Sequence, residues 1–185
     1  MTEKIFKLSG DIDNFHSIVF AKANNELLDV IEKMNTEPIK DLWPSPKLEI
    51  RLNEEIIEGT PLSDCPFLLS KCLVFTQRAY ELLRDTFSEI VESFPIVVEE
   101  HTFFLINPLR LIDALDKERS SIEWYKDRIL YINNYVLKSE AIPLDLPIFR
   151  VNGAEDLALF VSEEVWEKVC KAHLTGFNFE EVQCS

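Results

Sequence analysis

Apolar residues in this chain come in short runs that alternate with charged side chains or stop at turn formers, and few of the runs carry helical spacing. Alternation places every second side chain on one face, so each such run reads as a half-buried strand. Leu48, Ile50 and Leu52 alternate with charged residues in this way. Strands over 95–98 and 103–106 are separated only by Glu99, Glu100, His101 and Thr102, the spacing of a hairpin. Strands over 122–125 and 129–132 form a second pair around Lys126, Asp127 and Arg128. Further strands are expected over 15–20, 73–75, 148–151 and 157–161, with a short edge strand over 5–8. Phe177, Phe179 and Val182 define a last one, and 109–115 fits a strand or a helical turn equally well.

Helical spacing is confined to a few places. Leu27, Leu28, Ile31 and Met34 recur at helical intervals, which predicts a helix over 25–34. Thr76 precedes a helix over 77–85 as its N-cap, with Ala79, Leu82 and Leu83 inward. Ser162 caps a helix over 163–173, whose first turn holds Glu163 and Glu164 where the helix dipole favours acids. Gly176 is placed as its terminator. Strands and helices do not alternate as βαβ units, which predicts an α+β fold with a mostly antiparallel sheet and two or three helices. Pro38, Pro44 and Pro46 break the chain around Trp43, and 54–66 is polar and turn-rich. A seam is therefore expected there, with residues 1–60 as an N-terminal segment packed on a main domain over 61–185, the two making one structural unit.

Charge and composition exclude several functions. The chain has 185 residues, 19 Lys and Arg against 33 Asp and Glu, and a net charge of −14. Such a surface repels nucleic acid and anionic lipid and steers toward basic partners. No apolar run approaches the length of a membrane helix, and the first ten residues have no secretory pattern. Cys65, Cys72, Cys170 and Cys184 lack CxxC spacing and suit a reducing cytoplasm. His16, His101 and His173 are isolated, and the four glycines form neither GxGxxG nor a Walker sequence. No metal or cofactor is expected.

Two groups of residues carry the remaining chemistry. Asp113 and Asp116 would share a helical face, and with Arg150 they are the basis for an alternative reading as a small-molecule enzyme. The structural reading has Asp116 accepting backbone N–H bonds in a turn closed by Ser120, with Arg150 paired internally to one of these acids. The acidic clusters Glu54, Glu55, Glu58 and Glu99, Glu100 flank predicted strands. Each alone reads as a solvated loop. Together they form the expected contact surface for a partner protein.

The ordered landmarks give a more specific lead. They are Asp64-Cys65-Pro66-Phe67, Thr76 with its helix, Phe94-Pro95, Asp116 through Ser120, Ile148-Phe149-Arg150, Leu159 through Ser162, and Leu174-Thr175-Gly176-Phe177 with Phe179 and Val182. The set resembles immunity protein family eleven of bacterial polymorphic toxin systems, formerly a domain of unknown function, over about 62–182. Lys126 and Asp127 stand where that pattern has a glycine-bearing turn. The resemblance implies a non-enzymatic cytoplasmic protein that binds and neutralises a cognate protein toxin by occluding its active site; a basic nuclease would suit the acidic surface. An adaptor or chaperone for a secreted effector is the other binding role it allows. Asp116, Ser120, Phe149, Arg150, Gly176 and Phe179 are signature residues expected to define the fold.

Overall fold

The computed structural model describes residues 4–20, 28–31, 34, 37–43, 48–51, 62–68, 72–98 and 101–185. Strands β1 (Ile5–Gly10), β7 (Leu111–Ile112), β10 (Val136–Leu137), β11 (Ile148–Val151), β12 (Leu159–Ser162) and β13 (Phe177–Cys184) form one sheet in the order β10-β13-β1-β12-β11-β7. A second sheet has β2 (Ser17–Phe20), β3 (Leu48–Arg51), β4 (Leu73–Thr76), β5 (Val91–Val98) and β6 (His101–Pro108) in the order β2-β3-β5-β6-β4. Strands β8 (Ser121–Tyr125) and β9 (Arg128–Asn134) make a separate two-stranded sheet. Most neighbours are antiparallel; β10 with β13, β11 with β7 and β3 with β5 are parallel. The fold is α+β, as the alternation implied.

The first strand differs from expectation. β1 is not at an edge: it pairs antiparallel with β12 on one side and with β13 on the other. Its side chains explain the position. Phe6 and Leu8 enter one core and Ile5 enters another, so the strand is apolar on both faces, as a central strand must be. Lys7 lies over the Tyr135 ring at 5.6 Å and reaches Glu180 at 2.7 Å, which keeps its ammonium out of the core.

Helix α1 (Gln77–Phe87) begins where Thr76 accepts from the Ala79 N–H. Its buried residues are Ala79, Leu83 and Phe87, whereas Leu82 is 38% exposed, one position off the inward face. Helix α2 (Glu163–Lys171) begins after Ser162, whose backbone is extended but whose hydroxyl makes no capping bond. Its start rests on Glu163 and Glu164 in the first turn, and its flank on the Glu164–Lys168 and Glu167–Lys171 pairs.

Gly176 does not end α2. The His173 N–H bonds the Cys170 carbonyl and the Leu174 N–H bonds the Val169 carbonyl, with His173 at φ +52. That is a Schellman ending with histidine in the left-handed position, and buried Leu174 supplies the apolar contact that accompanies it. Residues 28–31 are helical and bury Val30 and Ile31. Leu28, placed inward by the spacing, is 38% exposed, and positions 25–27 and 32–33 of that expected helix lie outside the described residues.

Three cores stack through the molecule. The first holds α1, α2, Phe6, Leu8, Ile148 and Val161 of one sheet, and Leu73, Phe75 and Ile106 of the other. The second covers the far face of the second sheet with Val74, Phe94, Ile96 and Phe103 against Val30, Ile31 and Ile39. The third covers the far face of the first sheet with Ile5, Phe149, Phe160 and Val182 against Leu137 and Tyr135. Val182 thus lies on the opposite face from Phe177 and Phe179, which pack on the first core.

Candidate functional site

The signature residues converge on two junctions and one buried strand. At the first junction, the Asp64 carboxylate accepts from Thr76 Oγ1 (3.2 Å), Arg78 Nη1 (3.2 Å), the Thr175 N–H (3.0 Å) and Thr175 Oγ1 (3.2 Å). The Asp64 N–H in turn donates to Thr175 Oγ1 at 3.2 Å. One side chain thereby ties the start of α1 to the loop after α2. Gly176, at φ +80, lies against the neighbouring Ser63, and a Cβ there would come within 2.3 Å of Ser63 Oγ. Only glycine fits that contact. Sequence reasoning placed Asp64 in the first landmark of the resemblance but gave it no role; a carboxylate far in the chain from Thr175 gives no local signal.

At the second junction, Asp116 Oδ1 accepts from the Glu118 and Arg119 N–H groups, both at 3.1 Å. Ser120 Oγ accepts from the Val136 N–H at 3.0 Å and donates to the Val136 carbonyl at 3.3 Å. The turn is thus clamped to β10. Residues 113–116 are not helical, so Asp113 and Asp116 share no helix face. Both do line one cleft of about 420 Å³ with Lys117, Glu118 and Lys138, but Arg150 is not part of it.

Arg150 sits in β11 beside Phe149, which is fully buried and stacked on Phe160 at 5.5 Å. Arg150 is 8% exposed, and its guanidinium donates Nη1 to the Glu155 carbonyl at 2.7 Å. Burial pushes its pKa down, countered by Cys72, Asp156 and Glu155. The expected pairing with Asp113 or Asp116 is not made: Arg150 points to the β11–β12 connection, and the two aspartates lie on the turn side. Phe179 meets Phe6 edge-on at 6.2 Å.

The acidic residues expected to contact a partner, Glu54, Glu55, Glu58, Glu99 and Glu100, lie outside the described residues. A different surface stands out instead. On the β8–β9 hairpin, Trp124, Tyr125, Leu130 and Tyr131 are each at least half exposed. Lys126 takes φ +55 at the turn, the left-handed conformation that a glycine would adopt without strain. The hairpin forms as the spacing implied, and the exposure of its aromatic side chains was missed, because alternation alone does not say which face is covered.

Among the described residues no group of three His, Cys, Asp or Glu side chains is placed to hold a metal, and no helix is long and apolar enough to cross a membrane. All four cysteines are described, and none forms a disulfide. No curated protein matches the chain. A family model does, over residues 66–184, which takes in every strand from β4 to β13 and the helices α1 and α2. The two junctions, the buried Phe149–Arg150 strand and the aromatic hairpin all fall within that match or at its border, and on it the chain belongs to the Immunity protein family (Imm11).

Proposed function

We propose that this chain is a cytoplasmic immunity protein that binds a cognate polymorphic toxin and blocks its active site, acting by occupancy and not by catalysis. Membership of the immunity family carries the reading. The signature residues fit it: Asp116, Ser120, Phe149, Arg150, Gly176 and Phe179 serve the fold, which leaves the exposed surface to supply the specificity. The net charge of −14 favours a basic toxin, and a nuclease with a cationic cleft is the partner that charge suits best.

The direct test is to identify the neighbouring gene and, where it encodes a large secreted protein, to co-express this chain with that protein's C-terminal domain. The chain is expected to restore growth of cells expressing that domain and to co-purify with it in a one-to-one complex. Continued killing with no complex would refute the proposal. Electrostatic steering has its own test. Reversing Glu54, Glu55 and Glu58, and separately Glu99 and Glu100, should slow association measured by stopped-flow, and salt should slow it further, since charges are screened beyond roughly 10 Å at 0.1 M. Association indifferent to both would remove the steering role.

A further inference from the structure

Among the described residues the β8–β9 sheet is paired to neither larger sheet. Ile122, Ile129 and Ile132 hold it against the third core. The rest of its apolar surface faces water, with Trp124 51%, Tyr125 61%, Leu130 60% and Tyr131 55% exposed. A regular strand would send Leu130 and Tyr131 to opposite faces. Here Glu123 pairs with Tyr131 and Trp124 with Ile129, so the register shift leaves Leu130 without a cross-strand partner and both neighbours reach solvent. A bulge at this place re-aims side chains outward. The register puts Trp124 on the core-side face, paired with Ile129, and puts Tyr125 and Tyr131 on the opposite face. The three half-exposed rings and Leu130 therefore wrap the end of the hairpin on both sides and together expose on the order of 400 Å² of apolar surface, roughly half of what one partner gives to a standard interface.

Charge indicates what would cover it. Residues 110–138 hold six Lys and Arg against five Asp and Glu, while the whole chain holds 19 against 33. The hairpin is therefore a near-neutral face on a strongly acidic protein. Beside it opens a cleft of about 330 Å³ lined by Trp124 and Ile129 and by both signs of charge, Lys117 and Arg128 with Asp127 and Glu155. Glu155 is engaged by the Gly153 N–H at 2.8 Å. A basic catalytic cleft is a poor complement to this face. A mixed-charge groove with an apolar floor is a good one, because neither side then buries an unpaired charge. A second copy of the chain fits less well. Patch-to-patch pairing would bury only on the order of 800 Å² in total, below the range of specific interfaces, between two chains that each carry −14.

We propose that the β8–β9 hairpin is the anchor that holds the cognate toxin, with its aromatic end inserted into an apolar, near-neutral groove of the toxin surface. This rests on the immunity reading and divides the binding event. Long-range steering by the acidic surface governs encounter, and the hairpin governs residence.

The test measures association and dissociation rates of Trp124→Ala and of Tyr131→Glu against the toxin domain identified in the co-expression test. Each is expected to dissociate at least roughly 30-fold faster than the unaltered chain, as truncated hot-spot side chains do. Association should change by less than about threefold, since rates of encounter vary little among variants of one interface. The two sites are exposed, and thermal melts near that of the unaltered chain confirm that the fold is kept. If the unaltered chain binds and both variants dissociate at its rate, the hairpin is not the anchor and the immunity reading stands. If the unaltered chain does not bind at all, the immunity reading fails and the anchor with it. If light scattering shows that the variants lose self-association while toxin dissociation is unchanged, a second copy covers this face and the proposal is overturned.

Discussion

Asp64→Ala isolates the junction between the two helices. The carboxylate accepts four bonds of 3.0–3.2 Å, from Thr76, Arg78 and twice from Thr175. A hydrogen bond to a charged group contributes about 1.5–3 kcal/mol in favourable settings. Several features reduce the sum here. The bonds are long for charge-assisted ones, the Arg78 side chain is 59% exposed, and such a pair contributes below about 1 kcal/mol. Thr76 also keeps its capping bond to Ala79 without Asp64. What remains is the Thr175 N–H and hydroxyl beside a carboxylate that is only 12% exposed. The expected loss is about 2–3 kcal/mol. For a chain of this length that lowers Tm by about 4–12 °C. Asp64→Asn retains one acceptor oxygen and should recover part of the loss. Differential scanning calorimetry of both variants decides the matter. A Tm for Asp64→Ala within about 1 °C of the unaltered chain would show that the helices are held together by packing alone and that the carboxylate is incidental.

Three other outcomes are expected. Asp116→Ala removes the acceptor for the Glu118 and Arg119 N–H groups and should cost about 0.5–2 kcal/mol in thermal denaturation; unchanged stability with lost toxin binding would move Asp116 to the interface. Burial, with smaller contributions from Tyr131 and Glu180, pushes the Tyr135 phenol up to about 12 from 10.0. The folded chain then keeps a proton that the unfolded one releases, so stability should fall by about 1.4 kcal/mol per pH unit across that interval, and the fall should be shallower in Tyr135→Phe in pH-dependent urea titrations. Gly176→Ala, which drives a Cβ against Ser63 at a positive φ, should lower Tm more than Gly153→Ala, where a Cβ meets nothing nearer than Lys117 Nζ at 4.0 Å; equal losses would show that backbone strain and not the Ser63 contact sets the cost.

Local signals were legible and long-range ones were not. The Thr76 cap, the two hairpins and the strand over 148–151 depend on residues close in sequence, and each forms where its spacing put it. Gly176 was misassigned for the same local reason. It follows a helix, and glycine commonly ends helices, but His173 takes that position and Gly176 answers to Ser63, which no spacing connects to it. Arg150 was paired by sequence with Asp113 or Asp116, whereas the fold aims it at the backbone carbonyl of Glu155, much closer in the chain. The run at 5–8 carried a usable clue. Ile5, Phe6 and Leu8 are not a one-sided alternation, and an apolar run on both faces belongs inside a sheet. The aromatic hairpin was found as a hairpin and missed as a surface.

The position of β1 also bears on how the chain reaches its native state. Phe6 pairs with Val161 and with Glu181, so the earliest strand made has both neighbours near the far end of the chain. During synthesis it has no partner until β12 has emerged, and its second edge stays open until β13 follows. Topologies that close over such sequence distances fold slowly, since the loop must be ordered before the contact repays it. The second sheet, whose β4, β5 and β6 are near in sequence, is able to form first and act as the platform. On the immunity role proposed above, protection would then lag translation by the time β1 needs to meet β12 and β13, which favours keeping a folded reserve over making the protein on demand.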